Sequence, residues 1–432
     1  MFARAPKYAL VALLVAAISL AGCTEKGNSL SMMPSGTTPF HDRASVPALR
    51  YVDPASRLSA PAGGTTFYVN GVGGSNKNDC RSPQRACKTI QHAVHISASG
   101  DTIDVAAAVY PENVTIHHSV QINGAGRDKT IVDGQMHGSE FLIAFNNSVV
   151  KITGMTMRNG SGSGDGGAIY HCNGTLTLVD VVIEGNRVRG PRLNGYGGAI
   201  YNCPGSIATI YRSTIRNNSA EVGGAICNGG GLTISRSTFN GNTALKTRGG
   251  GAIFNYGTLH VKNSTFSGNT ASAGVGGAIH NGELVGITGG AQLDNNTFSG
   301  NSAARGGAIF NKYFKPRLPI YVQNTIIAHN DPQNCGGDPL QTEGFNLSSD
   351  ASCDLDGAGD LNGVDPKLGP LQNNGGPTLT MALLADSPAI DAGSGTGCRD
   401  WIGRLLTTDQ RGMPRPDPPE SRFCDIGAYE RQ

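Results

Sequence analysis

Carboxylates, histidines and basic residues are thinly spread along these 432 residues, and few stand where they could act together. Acid–base chemistry needs such groups converging on one face, and sugar hydrolysis needs two carboxyls roughly 5–9.5 Å apart. The nearest approach is Asp180 with Arg212, which occupy equivalent places in successive repeats. They read as an acid–base pair or as an ordinary corner ion pair. His117-His118, and Asp133 with His137, lie near the start of the folded region and meet only if the fold brings them together. Asp354, Asp356, Asp360 and Asp365 carry oxygen donors at Ca²⁺-loop spacing, with Gly359 at the sixth place, but lack the bidentate Glu at the twelfth. The segment is a weak Ca²⁺ candidate or a plain Asp/Gly turn. No His/Cys cluster has zinc spacing. These residues assign no catalytic set and no cofactor beyond that Ca²⁺ option.

The elements that would position any such groups announce themselves by repetition. Gly-Gly-Ala-Ile begins at Gly166, Gly197, Gly223, Gly250, Gly276 and Gly306, 26 to 31 residues apart. A period of this length marks a solenoid, whose repeats cannot bury their apolar faces alone. Each copy continues with an aromatic and an Asn, a variable turn, alternating apolar positions, then Ser/Thr-Thr-Phe/Ile-x-x-Asn. The alternation marks half-buried strands, and the glycine pairs permit tight corners. With no room for a crossover helix, successive coils must pair in parallel. The expected fold is all-β, a right-handed parallel β-helix.

Vertical columns follow from stacking. Ile169, Ile200, Ile226, Ile253, Ile279 and Ile309 form one inward column; Ile183, Ile215, Phe239, Phe266, Phe298 and Ile327 form another. His171, Asn202, Asn228, Asn255, Asn281 and Asn311 make one polar ladder, and Asn186, Asn218, Asn242, Asn269, Asn301 and Asn330 a second. Their amides hydrogen-bond along the stack, which is a structural task. Tyr170, Tyr201, Phe254, His280 and Phe310, with Cys227 among them, fill a slot that alternation points outward. They offer a stacking surface for sugar rings, or a second core if the turns fold over them.

The ends of the chain carry address information. Met1–Gly22 has a basic start and an apolar run too short to span a bilayer, and reads as a secretory signal. Leu20-Ala21-Gly22-Cys23 resembles the lipobox of bacterial lipoproteins, which implies acylation of Cys23 and attachment to the outer membrane, facing periplasm or medium. Residues 23–64 are rich in Ser, Pro, Thr and Ala and read as a flexible tether. Thr89–Ala98 reads as a short helix capping the first coil. The net charge of +2, with 15% charged residues, provides no basic stripe and excludes a nucleic-acid partner. Cys80 with Cys87, Cys335 with Cys353, Cys398 with Cys424, and Cys172 with Cys203 on stacked coils are neighbours for disulfides; Cys227 is left over.

Three resemblances rest on these motifs. The GGAI copies with Phe239-Asn-Gly-Asn242, Phe266-Ser-Gly-Asn269 and Phe298-Ser-Gly-Asn301 resemble the GGAI/FxxN repeats of polymorphic outer membrane proteins. Those adhesins end in a transporter barrel, and residues 331–432 have no such strand series. Thr89–Gly134 is similar to the opening coils of the pectin-lyase-like superfamily, which implies a fold and not an activity. In the tail, Asp365-Pro-Lys-Leu-Gly-Pro-Leu371, Asn374-Gly-Gly-Pro377, Ser387-Pro-Ala-Ile-Asp-Ala-Gly393, Thr408-Asp-Gln-Arg-Gly412 and Cys424-Asp-Ile-Gly-Ala-Tyr-Glu430 are similar to the choice-of-anchor Q domain. That resemblance implies an envelope or surface protein. The expected organisation is a signal over 1–22, a tether over 23–64, a β-helix over 65–330 and a C-terminal module over 331–432. The expected function is a lipid-anchored envelope protein presenting its β-helix to a glycan or surface-protein ligand, as an adhesin or binding module. An exported polysaccharide lyase or glycoside hydrolase acting on acidic glycans is the alternative.

Overall fold

One turn of the chain shows why the repeat folds as it does. Gly250 adopts a φ of 71°, and a Cβ there would lie 2.5 Å from the Ile253 carbonyl oxygen. A Cβ on Gly251 would meet the backbone oxygen of Gly277, one coil away, at 2.0 Å. The first glycine therefore serves the left-handed corner and the second the close approach of the next coil. The strands Ile253–Asn255, Thr258–Lys262, Thr265–Ser267 and Thr270–Val275 follow in order. Asn263, between the second and third, takes a φ of 45°, a conformation that Asn tolerates better than most residues.

The computed structural model describes residues 64–144, 147–162, 164–190, 195–284, 286–312, 319–417 and 422–432. The expected signal and tether, with Cys23, lie outside them. Each strand of a coil pairs in parallel with its counterpart one turn on, forming two sheets of eleven strands, one of nine and a narrow one of six. The fold is the expected right-handed parallel β-helix. At about 4.8 Å per strand, the first eleven-stranded sheet is roughly 48 Å from edge to edge. This first sheet runs from Thr66–Val69 to Gln341–Thr342.

Both inward columns stack in register as expected, Ile253 between Ile226 and Ile279, Phe266 between Phe239 and Phe298. Phe239, Phe266 and Phe298 lie face to face, with centroids 4.7 and 4.8 Å apart. Both ladders also form. In the first, His171 Nδ1 meets Asn202 Oδ1 at 2.8 Å, and each later Asn donates to the next. In the second, Asn186 through Asn330 donate onward in the same way, and Asn334 extends the row. The helix Ile90–Ile96 closes the N-terminal end, burying Ile90, Ala93 and Val94. Thr89 Oγ1 caps it, and the Glu112 carboxylate accepts from Ile90 N and Gln91 N, both at 2.9 Å. The four expected cysteine pairs are disulfides, and Cys227 is a buried thiol.

The boundary expected at residue 330 is displaced. Cys335–Gly337, Gln341–Thr342, Leu347–Ser348 and Leu361–Asn362 continue the three large sheets in parallel. Leu340 and Leu355 still join the main core although the glycine-led motif has gone, while Leu347 packs with Ile326 against the returning chain. After the antiparallel hairpin Leu368–Gln372 and Thr380–Leu383, the chain turns back along the side of the solenoid. It does not stand apart as a terminal module. It docks on the column of left-handed corner residues that includes Arg236, Asn263, Asn295 and Asn324. Arg236 donates to the Gln410 carbonyl at 3.2 Å, Asn263 to Thr408 at 2.9 Å, Asn295 to Arg399 at 3.0 Å and Asn324 to Asp425 at 2.9 Å.

Candidate functional site

Strand alternation sends every second residue of the first sheet away from the core. At the N-terminal end the register places Tyr68, Asp104 and Asn123 side by side on this outer face. The loop after Tyr68 rises beside them, tied by the Cys80–Cys87 disulfide and turned by Asn70, whose Oδ1 accepts from Val72 N and Gly73 N, both at 3.0 Å. Between loop and sheet lies a cleft of about 300 Å³ whose lining includes Tyr68, Asn70, Pro83, Asp104 and Asn123. Asn123 donates to Asp104 Oδ1 at 3.0 Å and accepts from Gln121 at 2.8 Å and Thr153 at 3.1 Å. An aromatic ring beside a fixed carboxylate and amides, on an apolar floor, suits a ligand with one apolar face and several hydroxyls.

From this cleft a half-exposed polar row continues along the sheet through Gln121, Lys151, Thr177, Thr209 and Thr233, each in register with the next. It ends at His260, where Trp401 of the returning chain packs on the imidazole with ring centroids 4.2 Å apart. Beside them Lys262 Nζ lies 2.9 Å from Asp400 Oδ2, both side chains nearly buried. Next in register, Asp294 accepts from Gln292 at 3.1 Å and from Trp401 N at 2.9 Å. Burial pushes the Asp294 carboxyl up to about 8, so it is largely neutral near pH 7. Burial, reinforced by the Lys262 charge, pushes His260 down to about 4. This cluster has acids and bases at close quarters, but the Lys262 amine is engaged by Asp400 and the side chains are enclosed. Its arrangement locks the returning chain to the sheet.

The outward column is a correction. Tyr201, Phe254, His280 and Phe310 are buried, and Tyr170 half-buried; they are not a surface for sugar rings. They do point away from the main core, but Tyr170, Tyr201 and Phe254 form a second core with Tyr196, Val222, Cys227 and Tyr256, and His280 and Phe310 continue it through edge-on ring contacts. Tyr201 and Tyr256 meet at 3.2 Å through their hydroxyls, Arg248 Nη1 donates to Tyr196 at 3.2 Å, and the Arg305 guanidinium sits over Phe310. The Ca²⁺ candidates do not converge either. Asp360 accepts from Asn346 N and Gly357 N, and Asp365 lies 3.1 Å from His329, while Asp354 and Asp356 are exposed. Among the described residues the one three-membered group at ligand distances is Cys80, Cys87 and His92, and its two sulfurs are spent in a disulfide.

Asp180 and Arg212 pair through two hydrogen bonds, with Arg127 3.7 Å away on the other side, as a corner ion-pair group. His118 instead meets Ser97 at 3.0 Å, and Asp133 pairs with Arg158 at 2.9 Å. Sequence reasoning missed the cleft because its residues precede the repeats and belong to no recurring type. The available signal was Asp104 between Ile103 and Val105, which alternation aims outward.

The Chlamydia polymorphic membrane protein repeat matches residues 236–256, 263–282 and 297–312. Among solved structures, the pectate lyase Pel9A is 14% identical with a TM-score of 0.49, over 85% of this chain and 96% of its own. XylC in complex with xylose is 10% identical with a TM-score of 0.36, over 85% and 98%. The lacto-N-biosidase of family GH136 from Eubacterium ramulus is 11% identical with a TM-score of 0.35, over 66% and 63%. No curated protein sequence matches.

Proposed function

We propose that this chain is an envelope or surface protein, lipid-anchored at Cys23, that binds a glycan along the outer face of its first sheet. The repeat shared with polymorphic membrane proteins supports the location, and so does the choice-of-anchor Q-like tail. The cleft between Tyr68, Asp104 and Asn123 carries the binding reading, because it combines a ring, a carboxylate and amides in about 300 Å³. The polar row from Lys151 to Thr233 extends it in the direction a chain of sugars would run. A glycan array probed with the chain from Thr24 onward tests this. Asp104→Leu should weaken any hit about 10- to 100-fold, the loss of one or two hydrogen bonds to a charged acceptor. Hits that Asp104→Leu and Tyr68→Ala both leave untouched place binding elsewhere, and an empty array removes the reading. New reducing ends or unsaturated products would favour the lyase or hydrolase alternative. Separately, Cys23→Ala should abolish acylation and membrane fractionation; unchanged fractionation rejects the anchor.

A further inference from the structure

The C-terminal chain exposes apolar side chains at one end of the seam it makes with the solenoid. Ile402 is 40% exposed, Leu405 48% and Phe423 48%. They belong to two short segments joined by the Cys398–Cys424 disulfide. In the first, Arg399 and Leu405 face each other across an antiparallel bridge, with the tip at Trp401–Arg404. A Cβ on Gly397 would touch the Leu405 side chain, and one on Gly395 the Phe423 ring, so the two apolar groups flank the same few residues. Single exposed apolar residues need no explanation, but three in one cross-linked unit do.

Charge decides what covers them. Across residues 393–406 and 422–424 the charged side chains are Arg399, Asp400, Arg404 and Arg422. Asp400 is buried against Lys262, and the three arginines are exposed. Arg399 donates to the Gly403 and Thr396 carbonyls, which holds it along the tip and leaves three of its five N–H groups for another acceptor. Three exposed arginines on the same short segments as the exposed Ile, Leu and Phe, with a half-buried Trp alongside, match the boundary between lipid headgroups and acyl chains. We propose that this tip is a membrane-contact site that takes an anionic phospholipid surface, independent of the lipid at Cys23 and of the glycan cleft.

The test uses the chain from Thr24 onward, which carries no acyl group and keeps every described residue. It should sediment with vesicles of phosphatidylcholine containing about a quarter phosphatidylglycerol, and far less with phosphatidylcholine alone. High salt should weaken the binding. Each of Arg399→Gln, Arg404→Gln and Arg422→Gln should lower partitioning about fivefold. Leu405→Ser with Phe423→Ser should abolish it, while Val72→Ser, at the most exposed apolar residue and in the N-terminal loop, should change nothing. Arg422→Gln guards against misfolding of the double variant, and circular dichroism checks both. No sedimentation with the anionic vesicles overturns the proposal. So does equal binding by the arginine variants, or association only with soluble polyphosphate or a second copy of the chain.

Discussion

Asn255 sits in mid-ladder with both ends of its amide engaged. It accepts from Asn228 and donates to Asn281, each at 2.8 Å, and it also donates to the carbonyls of Gly257 and Gly290. Replacing it with Ala takes the donor from Asn281 Oδ1 in a buried corner and one acceptor from the Asn228 amide. Asn255→Ala should therefore lower unfolding stability by about 2–3 kcal/mol, read from urea titration. Phe266→Ala removes the middle ring of the stack and should cost about 3–5 kcal/mol in the same titration. Both positions were legible because a stacked fold asks the same thing of the same place in each coil, and the answer recurs as one residue type. Glu140 shows the opposite case. It occupies the slot filled by Ala168 one coil on, is fully buried, and its carboxyl lies against Gly160, where the second ladder lacks an amide. Nothing in the repeat foretells a residue that substitutes for a missing side chain on a neighbouring corner.

At the scale of elements, the seam between solenoid and returning chain was not legible, and the reason is physical. Arg415 lies beneath it, 2.8 Å from Glu430, and donates to Asn263 Oδ1 at 3.0 Å and the Gly427 carbonyl at 2.8 Å. Asp409 and Arg411 form a second buried pair beside it. The bond from Arg415 to Asn263, like those from the corner residues to the tail, joins residues more than a hundred positions apart, without a period, so sequence spacing carries no trace of it. Asp180 and Arg212 were visible as equivalent places in successive repeats, but the left-handed backbone of that column and its role as a dock were not. Arg415→Ala leaves the Glu430 carboxylate buried without its counter-charge and should destabilise the seam by about 3–5 kcal/mol. Limited proteolysis should then release fragments from residues 363–432 while the coils stay resistant. Uniform digestion of coils and tail together would mean that the two unfold as one unit.

For the whole molecule, buried acids and buried histidines act on stability in opposite directions as pH changes. Burial raises the carboxyls of Glu140, Asp165 and Asp294, the last two to about 7 and about 8. Burial lowers His171, His260 and His280 to about 4 each. The raised acids contribute stability at low pH that is lost as pH climbs from their unfolded values toward 7 to 8. The lowered histidines contribute stability above about 6.5 that is lost as pH falls toward 4. Between about 4.5 and 6.5 the raised acids hold protons in the fold and the lowered histidines hold them when unfolded, so the two effects oppose each other. Melting temperature should be level across that window. It should fall on the alkaline side, at about 1.4 kcal/mol per pH unit for each acid that stays protonated only in the fold. His260→Gln should make stability fall with rising pH inside that window, and Asp294→Asn should make it rise there and fall less steeply above it.

The docked tail also bears on how the rod would behave under load. Coils that meet only their immediate neighbours peel away singly, and each would release roughly 90 Å of chain. A bead pulling on the N-terminal end should give evenly spaced steps through the coils before Arg236, where Arg127 reaches the tail through the Pro377 carbonyl. From Arg236 to Asn324 every coil is stitched sideways to the returning strand, and the trace should change from small steps to one large rupture. The N-terminal coils would then act as a shock absorber, and the stitched half as its stop.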